Sequence, residues 1–256
     1  MLDNIQIAFF LLIFFRVGAI LFTAPFFSNK NINTRVRILV SFAISIVLAV
    51  SLEASMNKDI PDPNNYPLLV SAIFREIILG IAIGYTAQLA FVGVQFAGQL
   101  VSNEMGLSML NVLDPSTTTG VTIIAQFNMV LATMIFLLIN GHHYILMSVS
   151  RSFSTIPLGG WSVSSAFVGH LNDVFAGIFT TAIRISLPVM GAVFLSKIAL
   201  SIIARTMPQI NVFIVGFPVQ IALGLIAMAV SLPFFVRILM TLFASMRENI
   251  LLILNL

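Results

Sequence analysis

The sequence predicts an all-α protein that crosses a membrane several times. Of its 256 residues, 59% are hydrophobic and only 8% are charged, whereas soluble domains are about 25% charged. Several windows are long enough for a helix to cross a hydrocarbon core of about 30 Å, which takes about 20 apolar residues. A membrane β-barrel would instead show alternating segments of about ten residues. We therefore expect a polytopic, helical membrane protein.

The first two predicted spans differ in length. The span from Ile5 to Phe27 contains Arg16 and is closed by Pro25. Because no basic residue precedes it, we expect a retained helix and not a cleaved signal peptide. The span from Ile38 to Leu52 has 15 uncharged residues, which is short for a crossing. It is expected to be tilted, re-entrant or buried in protein.

The remaining spans follow a loop rich in proline, asparagine and charged residues, Glu53 to Pro67. They are predicted at Ile77–Asn103, Val121–Asn140, Val174–Ser196 and Val212–Val236, with a turn-rich region at 151–173 and an amphipathic tail from Arg237. Six spans result. The basic loop Ser28–Arg37 and the turn near Arg205 are predicted to face the cytoplasm, because cytoplasmic loops are enriched in Lys and Arg.

Polar side chains follow one face of the span from Ile77 to Asn103. Gln88, Gln95 and Gln99 recur at helical spacing, and Gln126 begins a second stripe in the next span. Unpaired amides are costly in lipid. This face is therefore expected to meet either a neighbouring helix or a water-filled path.

Small residues on the same span predict close helix packing, with Gly80 and Gly84 forming a GxxxG pair. Arg16 and Arg184 lie inside apolar spans. A charge at the bilayer centre costs about 3 kcal/mol or more. Three explanations stay open: the arginines pair inside a bundle, they reach the interface, or these helices do not lie at membrane depth.

Residue chemistry excludes several classes of function. The net charge of +3 comes from scattered residues, so no nucleic-acid surface is predicted. The chain has no cysteine, which rules out thiolate catalysis and cysteine-ligated metals. His142 and His143 are adjacent and would point about 100° apart on a helix. No paired acids or catalytic motif occurs. We predict no enzyme, no cofactor and no metal site.

Several runs of the sequence resemble the FliR family, flagellar type III export-gate proteins called SctT in injectisomes. They are "FFRVGAILFTAPFFSNKNINTRVRI" (14–38), "REIILGIAIGYTAQLAFVGVQFAGQLVSNEMGLSMLNVLDP" (75–115), "NGHHYILMSVSRSFSTIPLGG" (140–160) and "RTMPQINVFIVGFPVQIALGL" (205–225). Asn33 stands where the family pattern would have a proline. The similarity covers almost the whole chain in the family's order.

The resemblance implies one FliR-like export-gate domain over residues 1–256. Residues 1–170 would be a FliP-like part, and residues 171–256 a FliQ-like helical hairpin. Such a protein joins FliP and FliQ subunits in a pore through which unfolded flagellar proteins leave the cell. FlhB and FlhA lie nearby, and the complex is raised partly above the inner membrane at the flagellar basal body.

The resemblance also assigns a role to segment 106–120, whose only charged residue is Asp114 and which would be a plug in the closed pore. The plug residues would be Met109, Leu110, Asn111, Val112, Leu113, Asp114 and Pro115. Methionine adapts to irregular apolar gaps, and Gly106 and Gly120 would act as hinges. The turn containing Arg205, Pro208, Gln209 and Asn211 would lie near the cytoplasmic entrance, where it could meet FlhB.

Two rival interpretations remain open. Segment 106–120 could be an ordinary loop between helices. The chain could also be a stand-alone polytopic secondary transporter. A transporter is expected to show internal repeats and helices broken at matching positions in two halves. Here Pro188, Pro218 and Pro233 occur only in the back part of the chain, which favours the export gate.

Overall fold

The computed structural model describes residues 4–29, 32–53, 65–107, 122–207, 209 and 212–255. Over these residues the regular structure is helical, which confirms the predicted all-α class. The helices are α1 Asn4–Thr23, α2 Thr34–Glu53, α3 Tyr66–Glu104, α4 Ile123–Leu138, α5 Gly141–Thr155, α6 Ser165–Thr206 and α7 Val212–Asn255.

Five of the described helices are long and apolar enough to cross a membrane, and six spans result if the bent pair α4–α5 counts as one. The six predicted spans agree with the larger count. The α4–α5 pair bends by 65° at Asn140, which adopts the left-handed conformation with φ 58°. At about 1.5 Å per residue, α6 and α7 are each more than 60 Å long, about twice the thickness of a hydrocarbon core.

Helices α3, α6 and α7 extend further than the sequence predicted, whereas α1 ends at Thr23 and α4 covers only Ile123–Leu138. Helix α3 begins at Tyr66 and not at Ile77, because Glu76 is buried within it and does not end it. The turn-rich region is shorter than predicted, since α6 begins at Ser165. The tail from Arg237 is not a separate element but the continuation of α7.

Polar side chains begin four of the described helices, and at α3 the Asn65 side-chain oxygen accepts from the Leu68 amide at 3.4 Å. The Asn33 side-chain oxygen accepts a hydrogen bond from the Arg35 amide at 2.9 Å. The hydroxyl of Thr122 accepts from Ala125 at 3.3 Å, and that of Ser164 accepts from Phe167 at 3.0 Å. Each satisfies one of the amides that a helix leaves unpaired in its first turn. Asn33 therefore supplies the start of α2.

The first compact unit comprises Met1–Leu89, Ile139–Val174 and Ser245–Leu256. Helix α1 packs closely on the first half of α3 at Gly80 and Gly84. A methyl group added at Gly80 would lie 2.7 Å from the Arg16 carbonyl oxygen, and one at Gly84 would lie 2.7 Å from that of Ile20. The predicted GxxxG pair is therefore a helix-packing face.

The second compact unit comprises Ala90–Leu138 and Phe175–Ala244. Its core includes three phenylalanine rings whose centroids lie 5.3–5.4 Å apart, from Phe91, Phe136 and Phe243. A second apolar cluster lies around the end of α3 and includes Val101, Met105 and Val193. Gly98 lets α3 approach α4, because a methyl group there would lie 2.8 Å from the Ala125 nitrogen.

Candidate functional site

The end of helix α3 is fixed by a hydrogen-bonded cap where the predicted plug segment begins. Gly106 adopts the left-handed conformation with φ +78°. Its amide donates to the Asn103 carbonyl at 3.1 Å, and the Leu107 amide donates to the Ser102 carbonyl at 3.0 Å. This pair of bonds is the Schellman motif, in which glycine supplies the left-handed residue. The chain therefore leaves α3 in a defined direction.

Side chains of α7 enclose this cap. A methyl group added at Gly106 would lie 3.2 Å from the Phe217 ring, and one at Gly224 would lie 2.7 Å from the Met105 side chain. Met105 is fully buried and occupies the space that Gly224 leaves. Leu107 and Ile221 pack against the same apolar cluster. The last turn of α3 is thus anchored on both sides of Gly106 by apolar contact.

An ion pair links the same end of α3 to α6. The Lys197 ammonium donates to a Glu104 carboxylate oxygen at 2.6 Å, and the two side chains are 38% and 32% exposed. A carboxylate at a helix C-terminus faces the negative end of the helix dipole, so the nearby ammonium offsets an unfavourable placement. Both side chains are partly exposed, and an ion pair of this kind contributes at most about 1 kcal/mol.

The other predicted plug residues, Met109 to Pro115, lie outside the described residues, as does the hinge Gly120. Gly106 is described, and its place is the left-handed position of the α3 cap. Its role as a hinge stays a prediction. Sequence analysis did not identify the residues that surround this cap, Lys197, Phe217 and Gly224. A signal was present in Lys197, a lone cation within an apolar run that required a partner.

The predicted glutamine stripe is half-buried along α3, at Gln88, Gln95 and Gln99, whereas Gln126 on α4 is exposed. The Gln88 side-chain oxygen is buried without a hydrogen-bond donor among the described residues. In the predicted cytoplasmic turn, Arg205 and Gln209 are exposed. Pro208 and Asn211 lie outside the part of the chain that the structure describes.

A buried ion pair holds the first compact unit together. Arg16 in α1 is fully buried and makes a two-point contact with Glu76 in α3, through Nε to Oε2 and through Nη2 to Oε1, the latter at 2.9 Å. The guanidinium also donates to the carbonyls of Ser152 at 3.0 Å and Ile156 at 3.1 Å. It lies over the Phe153 ring, 4.4 Å from the centroid. Arg16 thus pairs inside a helix bundle, one of the three predicted explanations.

This network fixes the end of α5 and the turn after it. Ser152 lies in the last turn of α5, where its carbonyl also accepts the Ile156 amide at 3.0 Å, and Ile156 is the residue that follows the helix. Glu76 in turn accepts from the Gly159 amide at 2.7 Å, within the "PLGG" turn. Both charges are therefore satisfied by hydrogen bonds, the condition under which a buried ion pair is tolerated. Its geometry joins three helices and leaves no free group for chemistry.

Among the described residues, no group of three or more His, Asp or Glu side chains lies close enough together to hold a metal ion. The His142 and His143 rings lie 4.3 Å apart by centroid, and Phe26 lies 6.4 Å from His142.

The long apolar helices define the class, a polytopic, membrane-embedded protein. A family model described as "Bacterial export proteins, family 1" matches residues 7–246, so the class is that of bacterial export proteins.

Individual relatives identify the family more closely. The chain is 33% identical over 231 residues to the flagellar biosynthetic protein FliR of Bacillus subtilis, covering 87% of this chain and 85% of the relative. It is 31% identical over 218 residues to FliR of Escherichia coli K12, covering 85% and 82%. FliR of Aquifex aeolicus is 27% identical over 223 residues. The chain belongs to the FliR family and is a membrane component of flagellar protein export.

Proposed function

We propose that the chain is a subunit of the flagellar type III export gate in the bacterial inner membrane, at the flagellar basal body. It joins FliP and FliQ subunits around a pore for unfolded flagellar proteins, with FlhB and FlhA nearby. Residues 1–170 form its FliP-like part and residues 171–256 its FliQ-like part. Family membership, the resemblance of the sequence runs and the long apolar helices support this role.

Segment 106–120 closes the pore in this proposal. The supporting observation is the cap at Gly106, which gives this sparsely charged segment a rigid root. A plug must return to one position after each substrate, and a root held by two backbone hydrogen bonds and by Phe217 gives it a fixed starting direction. Met109, Leu110, Val112 and Leu113 then supply apolar contact, while Asn111 and the hydroxylated residues tolerate water.

The turn between α6 and α7 lies at the cytoplasmic entrance in this proposal, where it meets FlhB. Arg205 and Gln209 are exposed there, and a basic turn favours the cytoplasmic side. A photocrosslinker at Gln209 that captured only proteins outside the cytoplasm would contradict this position.

Replacing Met109 to Leu113 with glycine and serine tests the plug. Burying an apolar side chain contributes at least about 1.5 kcal/mol, so losing four removes about 6 kcal/mol from the closed state. A shift of this size is enough to invert a two-state equilibrium. We expect the resting gate to leak small ions while still assembling, measured as conductance of the purified complex in planar bilayers.

The matched control changes the same segment but leaves Met109 to Leu113 intact, by replacing Thr117, Thr118 and Thr119 with serine, which keeps each hydroxyl. It is expected to keep the seal. An intact seal in the glycine–serine variant, with assembly unchanged, would rule out the plug role and leave segment 106–120 as an ordinary loop.

A further inference from the structure

Two exposed arginines interrupt the apolar surface of the α6–α7 hairpin within the second compact unit. Arg184 lies in α6 and Arg237 in α7, and both side chains are exposed. Neither guanidinium has a hydrogen-bond or ion-pair partner among the described residues. Arginine is a strong, always-charged donor, so two guanidinium groups left without a partner by the described residues on apolar helices are candidates for binding an external anion.

The two arginines lie at nearly the same height on the hairpin. The helices pack antiparallel there, since one cluster joins Val189 and Val193 of α6 to Ile221 and Met228 of α7. Arg184 precedes the end of α6 at Thr206 by 22 residues, and Arg237 follows the start of α7 at Val212 by 25. At 1.5 Å per residue, both are about 33–38 Å from the turn.

The hairpin between this level and the turn is free of unpaired charge. Residues 212–236 of α7 contain no charged side chain, and between Arg184 and Arg205 the α6 sequence has only Lys197, which pairs with Glu104. Arg184 and Arg205 are 21 residues apart, or about 32 Å along the helix. This distance matches the thickness of a hydrocarbon core, about 30 Å.

The surface of this interval is apolar on both helices. Large hydrophobic side chains at least 39% exposed recur along it, among them Leu187, Phe194, Leu195, Ile198 and Ile202 of α6 and Ile214, Leu225, Ile226, Val230 and Leu232 of α7. A surface of this kind suits hydrocarbon, whereas an unpaired arginine does not, because moving it to the bilayer centre costs about 3 kcal/mol or more.

We propose that Arg184 and Arg237 bind the phosphate groups of phospholipids at one face of the bilayer, and that Arg205 marks the other face. Guanidinium groups bind phosphate oxygens through two parallel hydrogen bonds. The membrane-crossing part of the hairpin is then residues 185–204 together with residues 212–236. This assignment concerns the register of the hairpin in the membrane and does not depend on the plug.

Tryptophan depth measurements test the register. The single tryptophan, Trp161, is first replaced by phenylalanine, and Leu225→Trp or Phe234→Trp is then introduced in the full-length chain. Both positions are exposed. In vesicles of phosphatidylcholine and phosphatidylglycerol, Leu225→Trp is expected to be quenched best by lipids brominated deep in the acyl chains. Phe234→Trp, about 13 Å nearer the arginines, is expected to be quenched best by lipids brominated near the headgroup.

A second measurement tests the arginines themselves. The full-length chain is released from phosphatidylglycerol nanodiscs, and the lipids that it retains are counted by native mass spectrometry. Each Arg→Gln change at residue 184 or 237 is expected to weaken retention about fivefold, the value of one basic side chain at an anionic surface. Arg151→Gln, an exposed arginine of α5, is the matched control and should change nothing. Added inorganic phosphate should not displace the lipid.

Several results would overturn the proposal. Equal quenching depth at residues 225 and 234 would refute the register, and absence of quenching at both would show that protein covers this surface. Unchanged lipid retention in the Arg184→Gln/Arg237→Gln variant would assign the arginines to an acidic protein partner. Displacement by inorganic phosphate would reduce the site to a free-anion site.

Discussion

At the scale of single residues, the buried Arg16–Glu76 pair dominates the first compact unit. Both side chains are at most 1% exposed, so Glu76→Gln leaves a guanidinium buried without its counter-charge. Breaking a buried pair in this way costs about 3–5 kcal/mol. We expect the variant to lose most of its thermal stability, measured as the temperature at which the detergent-solubilised chain aggregates.

Arg151→Gln is the control, because Arg151 is an exposed residue of α5, and surface substitutions usually change stability by less than about 0.5 kcal/mol. A Glu76→Gln variant as stable as this control would show that the pair does not hold the unit together.

Close packing at Gly84 gives a second prediction at this scale. A methyl group added there would lie 2.7 Å from the Ile20 carbonyl oxygen and 3.0 Å from the Ala24 nitrogen. These are backbone atoms, so α1 must move. Gly84→Ala is expected to destabilise the chain by about 1–3 kcal/mol. Gly18→Ala on α1 meets nothing within 4 Å and should be neutral or stabilising, since alanine is the better helix former.

The two variants are compared by thermal aggregation in the same detergent. Equal stability of Gly84→Ala and Gly18→Ala would contradict the tight contact between α1 and α3.

At the scale of helices, the Glu104–Lys197 pair links the end of α3 to α6 beside the root of the proposed plug. Glu104→Lys puts two cations side by side. The ion pair that is lost contributes up to about 1 kcal/mol, which corresponds to about a fivefold change in the ratio of closed to open gates. We expect a measurable rise in ion leak through the resting gate. The exchange Glu104→Lys with Lys197→Glu should restore the seal, because a cation at the C-terminus of α3 suits the helix dipole.

Glu248→Lys, which changes an exposed acid of α7, controls for net charge and should not leak. If the exchanged variant leaked as much as Glu104→Lys alone, the ion pair would have no part in holding the root of the segment.

Much of the helical architecture could be predicted, because apolar runs of membrane length have few other structures available. Helix boundaries were less predictable where a charge marked the limit. Glu76 was taken as the edge of a span, yet its carboxylate is satisfied by Arg16 and Gly159 deep inside α3. Its partner is 60 residues away in sequence, and a single sequence shows no signal for such a pairing.

The candidate site was also predictable only in part. Glycine at position 106 predicted a conformational role, and the structure shows a helix cap there. Phe217 and Gly224, which enclose the cap, belong to a helix about 110 residues later. Tertiary contact alone selects them, since both residue types are ordinary in an apolar helix.

At the scale of the whole molecule, the exposed apolar faces of α2, α6 and α7 predict that this chain is part of a larger assembly. In the most apolar windows of these helices only 11–17% of the residues are buried. Since α6 and α7 are about twice as long as a hydrocarbon core is thick, lipid cannot cover all of this surface. Other protein subunits must cover the remainder.

The assembly is tested by native mass spectrometry. A tagged chain is extracted in mild detergent from cells that also express the neighbouring flagellar genes. We expect one large complex in which FliP and FliQ are present in numbers different from that of this chain. The same chain expressed without those genes serves as the control and is expected to be recovered in detergent or lipid in lower yield and without the large complex, because its apolar faces lack their protein partners. A stable monomer or a symmetric homo-oligomer would instead favour a stand-alone transporter, which needs no partner to bury these faces.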